Sequence, residues 1–196
     1  AVDENLTSGT VVGGLSTTDA DNGNTFTYTL VGGGSDNDRF SISGANLVTA
    51  AVLDFETKNS YSVVIQTSDG SATYSKTFSI TVNNANDTPT DITLSANAID
   101  ENLASGTVVG GLSTTDADNG NTFTYTLVGG GSDNDRFSIS GTNLVTAAEL
   151  DFETKNSYSI VIQTSDGSST YSKTFSITVN NANDTPTDIT LSANAV

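Results

Sequence analysis

The chain reads as an all-β protein of two tandem Greek-key β-sandwiches, and three observations carry that reading. First, Asp3 recurs as Asp100, and the offset of 97 residues holds to the last residue. The two copies differ only at Val2/Ile99, Thr7/Ala104, Ala45/Thr142, Val52/Glu149, Val63/Ile160, Ala72/Ser169 and Ile99/Val196. A repeat of this length is a whole domain, not a solenoid turn that needs neighbours to bury its core. Second, each copy holds about seven short stretches of strand-like alternation. Third, Gly, Asn and Asp punctuate those stretches, and no segment offers a helical period.

Taken in order through the first copy, Thr10-Val11-Val12 is a short strand. Thr25-Phe26-Thr27-Tyr28-Thr29-Leu30 alternates polar with apolar side chains, as a half-buried strand does. Phe40-Ser41-Ile42 and Leu47-Val48-Thr49 flank Ser43-Gly44, a hairpin signal. Tyr61, Val63 and Ile65 alternate with Ser62 and Gln66, and Phe78, Ile80 and Val82 with Thr77, Ser79 and Thr81. Ile92-Thr93-Leu94 completes the set, within an edge strand expected to run from about Thr90 through Ile99. Pro89 and Pro186 each end a strand, which puts the domain boundary at about residue 88. The expected organisation is therefore 1–88, 89–185, and 186–196 as the start of a third repeat. The first domain, beginning at the equivalent of Ala98, lacks most of its first strand. The segment 186–196 repeats that missing piece, so head-to-tail self-association by strand addition is expected. The chain starts and stops in mid-pattern and so reads as part of a longer array.

Composition narrows the function. Of 196 residues 35% are hydrophobic, with no Trp, Met or Cys, so the cores are built from Val, Ile, Leu, Phe and Tyr. The net charge of −17 argues against nucleic acid, whose phosphates demand a basic footprint, and against anionic membrane surfaces. Without His or Cys, Ser–His and Cys–His catalysis and the usual zinc sites are unavailable, which excludes most enzyme classes. No apolar run approaches the ~18 residues of a membrane span, and no signal peptide is legible.

The acidic residues fall mostly at strand ends: Asp3-Glu4, Asp19-Ala20-Asp21, Asp54-Phe55-Glu56, Asp69 and Asp87, with their counterparts 97 residues on. Calcium requires about six to eight oxygen ligands, and carboxylates from several loops at one pole of a sandwich supply them. Solubility alone explains any single pair, but not the recurrence of the whole set.

These motifs resemble those of cadherin-type repeats, specifically the bacterial cadherin-like kind, over essentially the entire chain. Glu4-Asn5 and Glu101-Asn102 resemble the family's first-strand glutamate motif, and Asp19-Ala20-Asp21 and Asp116-Ala117-Asp118 its Asp-x-Asp motif. Leu53-Asp54-Phe55-Glu56 and Leu150-Asp151-Phe152-Glu153 resemble its Leu-Asp-Arg-Glu motif, with Phe in place of Arg. Ser68-Asp69-Gly70 and Ser165-Asp166-Gly167 resemble its single-aspartate motif. Asn84-Ala85-Asn86-Asp87-Thr88 is similar to its Asp-x-Asn-Asp-Asn linker, with Asn84 in place of an aspartate and Thr88 in place of an asparagine.

The resemblance implies immunoglobulin-like, cadherin-like sandwiches with calcium at the junction between consecutive domains. It assigns Glu4, Asp54, Glu56, Asn86 and Asp87 from the first domain and Asp116, Asp118, Asn121 and Asp166 from the second as ligands of one complete junction. Asp19, Asp21 and Asp69 form an incomplete half-site, as do Glu101, Asp151, Glu153, Asn183 and Asp184. Removing calcium leaves crowded carboxylates repelling one another. The resemblance thus implies a calcium-rigidified extracellular spacer or adhesion stalk of a repetitive bacterial surface protein, not an enzyme. The alternative is an adhesive binding module, homophilic or directed at a cell-surface protein or polysaccharide. No tryptophan anchor for homophilic strand exchange of the vertebrate kind is present.

Competing motifs carry less. Asp19-Ala20-Asp21-Asn22-Gly23 opens like an EF-hand loop, but Leu30 stands at the twelfth position and no helices flank it. Gly32-Gly33-Gly34-Ser35-Asp36-Asn37-Asp38 occurs once per domain, unlike a calcium β-roll. Asp54 and Glu56, two residues apart, do not make a glycosidase pair.

Overall fold

A computed structural model describes residues 1–21, 23 and 25–192. The chain divides into two compact units, Ala1–Asn86 and Asp87–Val196. Both are built from strands, as the alternation requires, and each folds two sheets over its own core.

In the first unit the strands are β1 (Val2–Asp3), β2 (Val11–Gly14), β3 (Thr27–Leu30), β4 (Phe40–Ser43), β5 (Asn46–Thr49), β6 (Ser60–Ser68) and β7 (Thr73–Asn83). One sheet has the order β1-β7-β6-β3, the other β2-β5-β4. β6 and β7 form the long antiparallel hairpin, with Val63 opposite Phe78 and Tyr61 opposite Ile80. Its inward residues alternate as expected, and Val63 and Val82 are fully buried. Phe40 and Tyr61 meet edge to face at 5.7 Å between ring centres. A one-turn 3-10 segment, Asn37–Arg39, precedes β4. The side chain of Asp36 just before it is held by Lys58 and by the Ser62 N–H at 2.8 Å. Those bonds keep its carboxyl below the usual range.

The second unit contains β8 (Asp91–Leu94), β9 (Ala98–Asp100), β10 (Val108–Thr115), β11 (Thr124–Leu127), β12 (Phe137–Ser140), β13 (Asn143–Thr146), β14 (Ser157–Ser165) and β15 (Thr170–Asn180). Its sheets run β11-β14-β15-β9 and β12-β13-β10-β8. The core gathers Ile92, Leu144, Ile160, Ile162, Ile177 and Val179, all essentially inaccessible.

Two expectations are corrected. The single edge strand expected over 90–99 is two strands in different sheets. β8 pairs antiparallel with β10, then the chain crosses over at 95–97 and β9 pairs parallel with β15. The crossover is possible because Gly110 has no side chain: a Cβ there would meet Ala96 O at 2.6 Å and Ala96 N at 2.8 Å. The strand expected at 10–12 runs over Val11–Gly14, and its counterpart continues through the polar stretch Ser113-Thr114-Thr115. That stretch shows no alternation to read; it is strand only because β8 lies alongside it. In the first unit no β8 equivalent pairs with β2 among the described residues, and that sheet has three strands.

Of the segment 186–196, residues 193–196 lie outside the described residues, as do Asn22 and Asn24. Residues 186–192 form no strand and are exposed. Among the described residues no helix is long and apolar enough to cross a membrane.

Candidate metal centre

Glu4 follows β1 directly, and its N–H continues the ladder by donating to Asn83 O at 3.2 Å. Asn5 then adopts φ +59, the left-handed region that Asn tolerates better than most residues. Its N–H donates to Leu53 O at 3.1 Å. This kink turns the Glu4 side chain inward, where it is 2% exposed. Each carboxylate oxygen accepts a backbone N–H, from Phe55 at 2.6 Å and from Ala85 at 2.8 Å. One buried side chain therefore ties the 54–56 loop to the exit of β7.

Asp54 is exposed and organises its own turn, accepting the Thr57 N–H at 2.9 Å and the Thr57 hydroxyl at 2.8 Å. Those bonds lower its pKa. Glu56 accepts the Asn84 amide at 2.7 Å. Glu4, Asp54 and Glu56 thus offer one carboxylate oxygen each, all within 4.8 Å of one another. Asn86 lies exposed at the end of the unit.

The second unit repeats the arrangement. Glu101, 2% exposed, accepts Phe152 N–H at 2.6 Å and Ala182 N–H at 2.7 Å, and Asn102 has φ +61. Glu153 accepts the Asn181 amide at 2.7 Å, and Asp151 accepts Thr154 as Asp54 does Thr57. Oxygens of Glu101, Asp151 and Glu153 lie within 4.8 Å of one another. Loss of water around Glu153 raises its pKa, and the charges of Glu101, Asp184 and Asp151 push it further in the same direction. Asp184 is bound by the Asn102 amide at 2.7 Å, and Asn183 donates to Asp184 O at 3.0 Å.

The other pole of the second unit holds a second acidic set. Asp87 N–H donates to Asp118 Oδ2 at 2.7 Å, and Asp118 N–H to Asp116 Oδ1 at 3.0 Å. Asp116 Oδ2 and Asn121 Nδ2 are shielded from solvent without a hydrogen-bond partner. Asp166 closes its own turn, accepting the N–H groups of Ser168 and Ser169 at 2.6 Å each. In the first unit Asp19 and Asp69 line one small pocket, Asp69 accepting Ser71 and Ala72 N–H at 2.7 Å. Asp19 accepts the Asp21 N–H at 2.9 Å.

The donor sets fit calcium. Every candidate group is an oxygen, and ligands at about 2.3–2.6 Å from a common ion lie up to about 5 Å apart. Oxygens already within 4.8 Å need little movement to share one cation. The Glu153 carboxyl, pushed toward protonation first by loss of water and then by three carboxylate neighbours, sits in a site short of positive charge.

Two features escape sequence reasoning. Glu4 and Glu101 serve as backbone latches as well as candidate ligands, which needs the third dimension to see. Asn84 and Asn181 tie Glu56 and Glu153 through an amide; an aspartate at those positions would add repulsion instead. The only signal for them was the departure from the linker pattern.

The Cadherin domain family matches this chain twice, at residues 1–83 and 96–180. Human Protocadherin Fat 4 is 31% identical over 171 residues, spanning 81% of this chain and 3% of that protein. Human Protocadherin Fat 1 is 29% identical over 177 residues, 85% of this chain and 4% of that protein. The chain therefore spans only a few per cent of the length of these relatives. Among solved structures, human Protocadherin-24 EC1-2 superposes with a TM-score of 0.69 at 22% identity, covering 92% of this chain and 94% of that one. Mouse Cadherin-23 EC22-24 gives 0.63 at 22% identity, over 93% and 62% of the two chains. Cadherin domains are adhesion modules rather than enzymes, they generally bind calcium, and the related proteins carry them extracellularly. Sandwich topology, duplicated acidic motifs and matches over both repeats agree: this chain belongs to the cadherin family, as two tandem cadherin domains.

Proposed function

We propose that the chain is a calcium-rigidified extracellular spacer, part of the adhesion stalk of a repetitive bacterial surface protein. The observation that carries this reading is the recurrence of the buried-glutamate triad, Glu4–Asp54–Glu56 and Glu101–Asp151–Glu153, in both units. The near-identity of the two copies supports membership in a recently copied array. Motif order in the family supports calcium shared by Glu4, Asp54, Glu56 and Asn86 with Asp87, Asp116, Asp118, Asn121 and Asp166. Bound calcium supplies the positive charge that lets these carboxylates sit together. Glu101, Asp151, Glu153, Asn183 and Asp184, like Asp19, Asp21 and Asp69, form half-sites that await a neighbouring repeat.

The test is a calorimetric titration of calcium into chelated protein in a magnesium background. Saturable binding of about two or three ions in the 10⁻⁴–10⁻³ M range of extracellular modules is expected. Asp118→Asn should remove most of that heat. A titration without binding at millimolar calcium overturns the reading and leaves the carboxylates as a solubility device.

A further inference from the structure

The second unit carries two turns in which a glycine follows Asn or Asp, Asn119-Gly120 and Asp166-Gly167, and the fold treats them oppositely. Asp166-Gly167 is tied down. The Gly167 N–H donates to Ser165 Oγ at 3.1 Å, and Asp166 Oδ1 accepts the N–H groups of Ser168 and Ser169 at 2.6 Å each. Asp69-Gly70 in the first unit is held in the same way, with the Gly70 N–H on Ser68 Oγ at 3.1 Å.

Asn119-Gly120 has none of these restraints. Both residues are exposed in a turn, and among the described residues neither the Asn119 amide nor the Gly120 N–H makes a hydrogen bond. Gly120 has φ +89, and even a Cβ built on it would meet nothing within 4 Å. The Asn119 side chain can therefore swing onto the Gly120 nitrogen without breaking a bond or meeting a neighbour. The turn also sits at a sensitive place. Asp118 before it donates its N–H to Asp116 Oδ1 at 3.0 Å and accepts the Asp87 N–H at 2.7 Å. After it, Asn121 Nδ2 is shielded and unpartnered, as is Asp116 Oδ2. These two turn residues set the spacing between Asp118 and Asn121.

We propose that Asn119-Gly120 is a self-modification site, at which the chain deamidates and remodels the 116–121 loop. The Gly120 nitrogen attacks Asn119 Cγ, a C–N bond closes a succinimide ring, and the side-chain nitrogen leaves as ammonia with the Gly120 proton. Water then adds to one of the two ring carbonyls. Addition at Cγ breaks the new bond and gives aspartate; addition at the main-chain carbonyl breaks the original peptide bond and gives isoaspartate. Water is the only co-reactant. Either product adds one negative charge to the loop, and isoaspartate also inserts a methylene into the main chain between Asp118 and Asn121. Asn121 then loses its present spacing from Asp116 and Asp118. The modification needs no metal; only its effect on calcium rests on the spacer reading.

The experiment ages the full chain in chelator at neutral pH, folded and in urea. Tryptic segments 77–136 and 156–173 are followed by fragmentation mass spectrometry, with isoaspartate read by enzymatic methyl transfer. In the folded chain Asn119 should convert roughly tenfold or more faster than Asn156, which is also exposed but precedes Ser157 at the start of β14. Its folded rate should match its rate in urea. Asp166-Gly167 should isomerise roughly tenfold or more slowly in the fold than in urea, because its hydrogen bonds must break first. Asn119→Gln should remove the early mass gain of 77–136. An Asn119 that survives in the folded chain while converting in urea overturns the proposal, as does a folded rate no higher than that of Asn156. Fresh and aged protein are then titrated with calcium, and the isoaspartate fraction should bind about tenfold more weakly. Equal binding by the two overturns the remodelling. Absence of calcium heat in fresh protein refutes the spacer reading instead, while the mass spectra still decide the modification.

Discussion

Replacing Glu101 with glutamine separates its two roles, latch and calcium ligand. In the structure its carboxylate accepts two backbone N–H groups, from Phe152 at 2.6 Å and Ala182 at 2.7 Å, at a site 2% exposed. Hydrogen bonds to a charged acceptor contribute about 1.5–3 kcal/mol each, and a buried donor left unpaired costs about 1–3 kcal/mol. A Gln side chain keeps one acceptor, neutral and about 1 kcal/mol weaker, and turns an NH₂ toward the other N–H. The expected loss is about 3–4 kcal/mol. Against it stands the relief of repulsion with Asp151 and Glu153, about 1 kcal/mol for each pair roughly 4 Å apart in water-like surroundings, so about 2 kcal/mol in all. The latch wins, by about 1–2 kcal/mol. For a domain of this size that lowers the melting temperature of the second unit by about 5–15 °C.

The assay is scanning calorimetry of Glu101→Gln in chelator, with hydrogen exchange at Phe152 and Ala182. The first unit, which keeps Glu4, serves as the reference inside the same chain. If Glu101 were only a metal ligand, its neutralisation without metal would leave stability unchanged or raise it. Either result, or retained protection at both amides, refutes the latch.

Two further predictions concern the loop that packs beside β14. The Lys155 ammonium and the Ser159 N–H hold the Asp133 carboxyl down to about 2. Its folded pKa lies below the unfolded value near 3.9, so the stability it contributes is present above about pH 4 and is lost as pH falls toward 2. Asp133→Asn should therefore be less stable than the parent at pH 6, and the gap should narrow by about 2 kcal/mol by pH 2 in urea melts. Gly131 is packed so tightly that a Cβ would meet Asn134 Oδ1 at 2.2 Å and Val161 N at 2.7 Å. Gly131→Ala should displace Asn134 from Val128 O and Val161 N and cost about 2–3 kcal/mol by denaturant unfolding. Gly129→Ala, where a Cβ meets nothing within 4 Å, should stay within about 0.5 kcal/mol of the parent.

Much of this protein was legible without coordinates, because its signals are local. A strand buried on one face must alternate, so Tyr61-Val63-Ile65 and Phe78-Ile80-Val82 announce the central hairpin by themselves. The duplication shows in direct comparison, and acidic motifs in a fixed order need only their spacing to be recognised. The exchange of Val52 for Glu149 marks an exposed position, and Val52 is 55% exposed.

Tertiary structure decided what depends on partners distant in the chain. Ser113-Thr114-Thr115 are strand because β8 supplies their hydrogen bonds; Ser16-Thr17-Thr18, which no strand flanks on that side among the described residues, are not. The split of 90–99 between two sheets rests on the space that Gly110 leaves for residue 96. Glu4 and Glu101 look in sequence like any other acidic residue at a strand end. Only the fold brings backbone N–H groups from positions about fifty and eighty residues away to both oxygens of each, and burial makes those contacts strong.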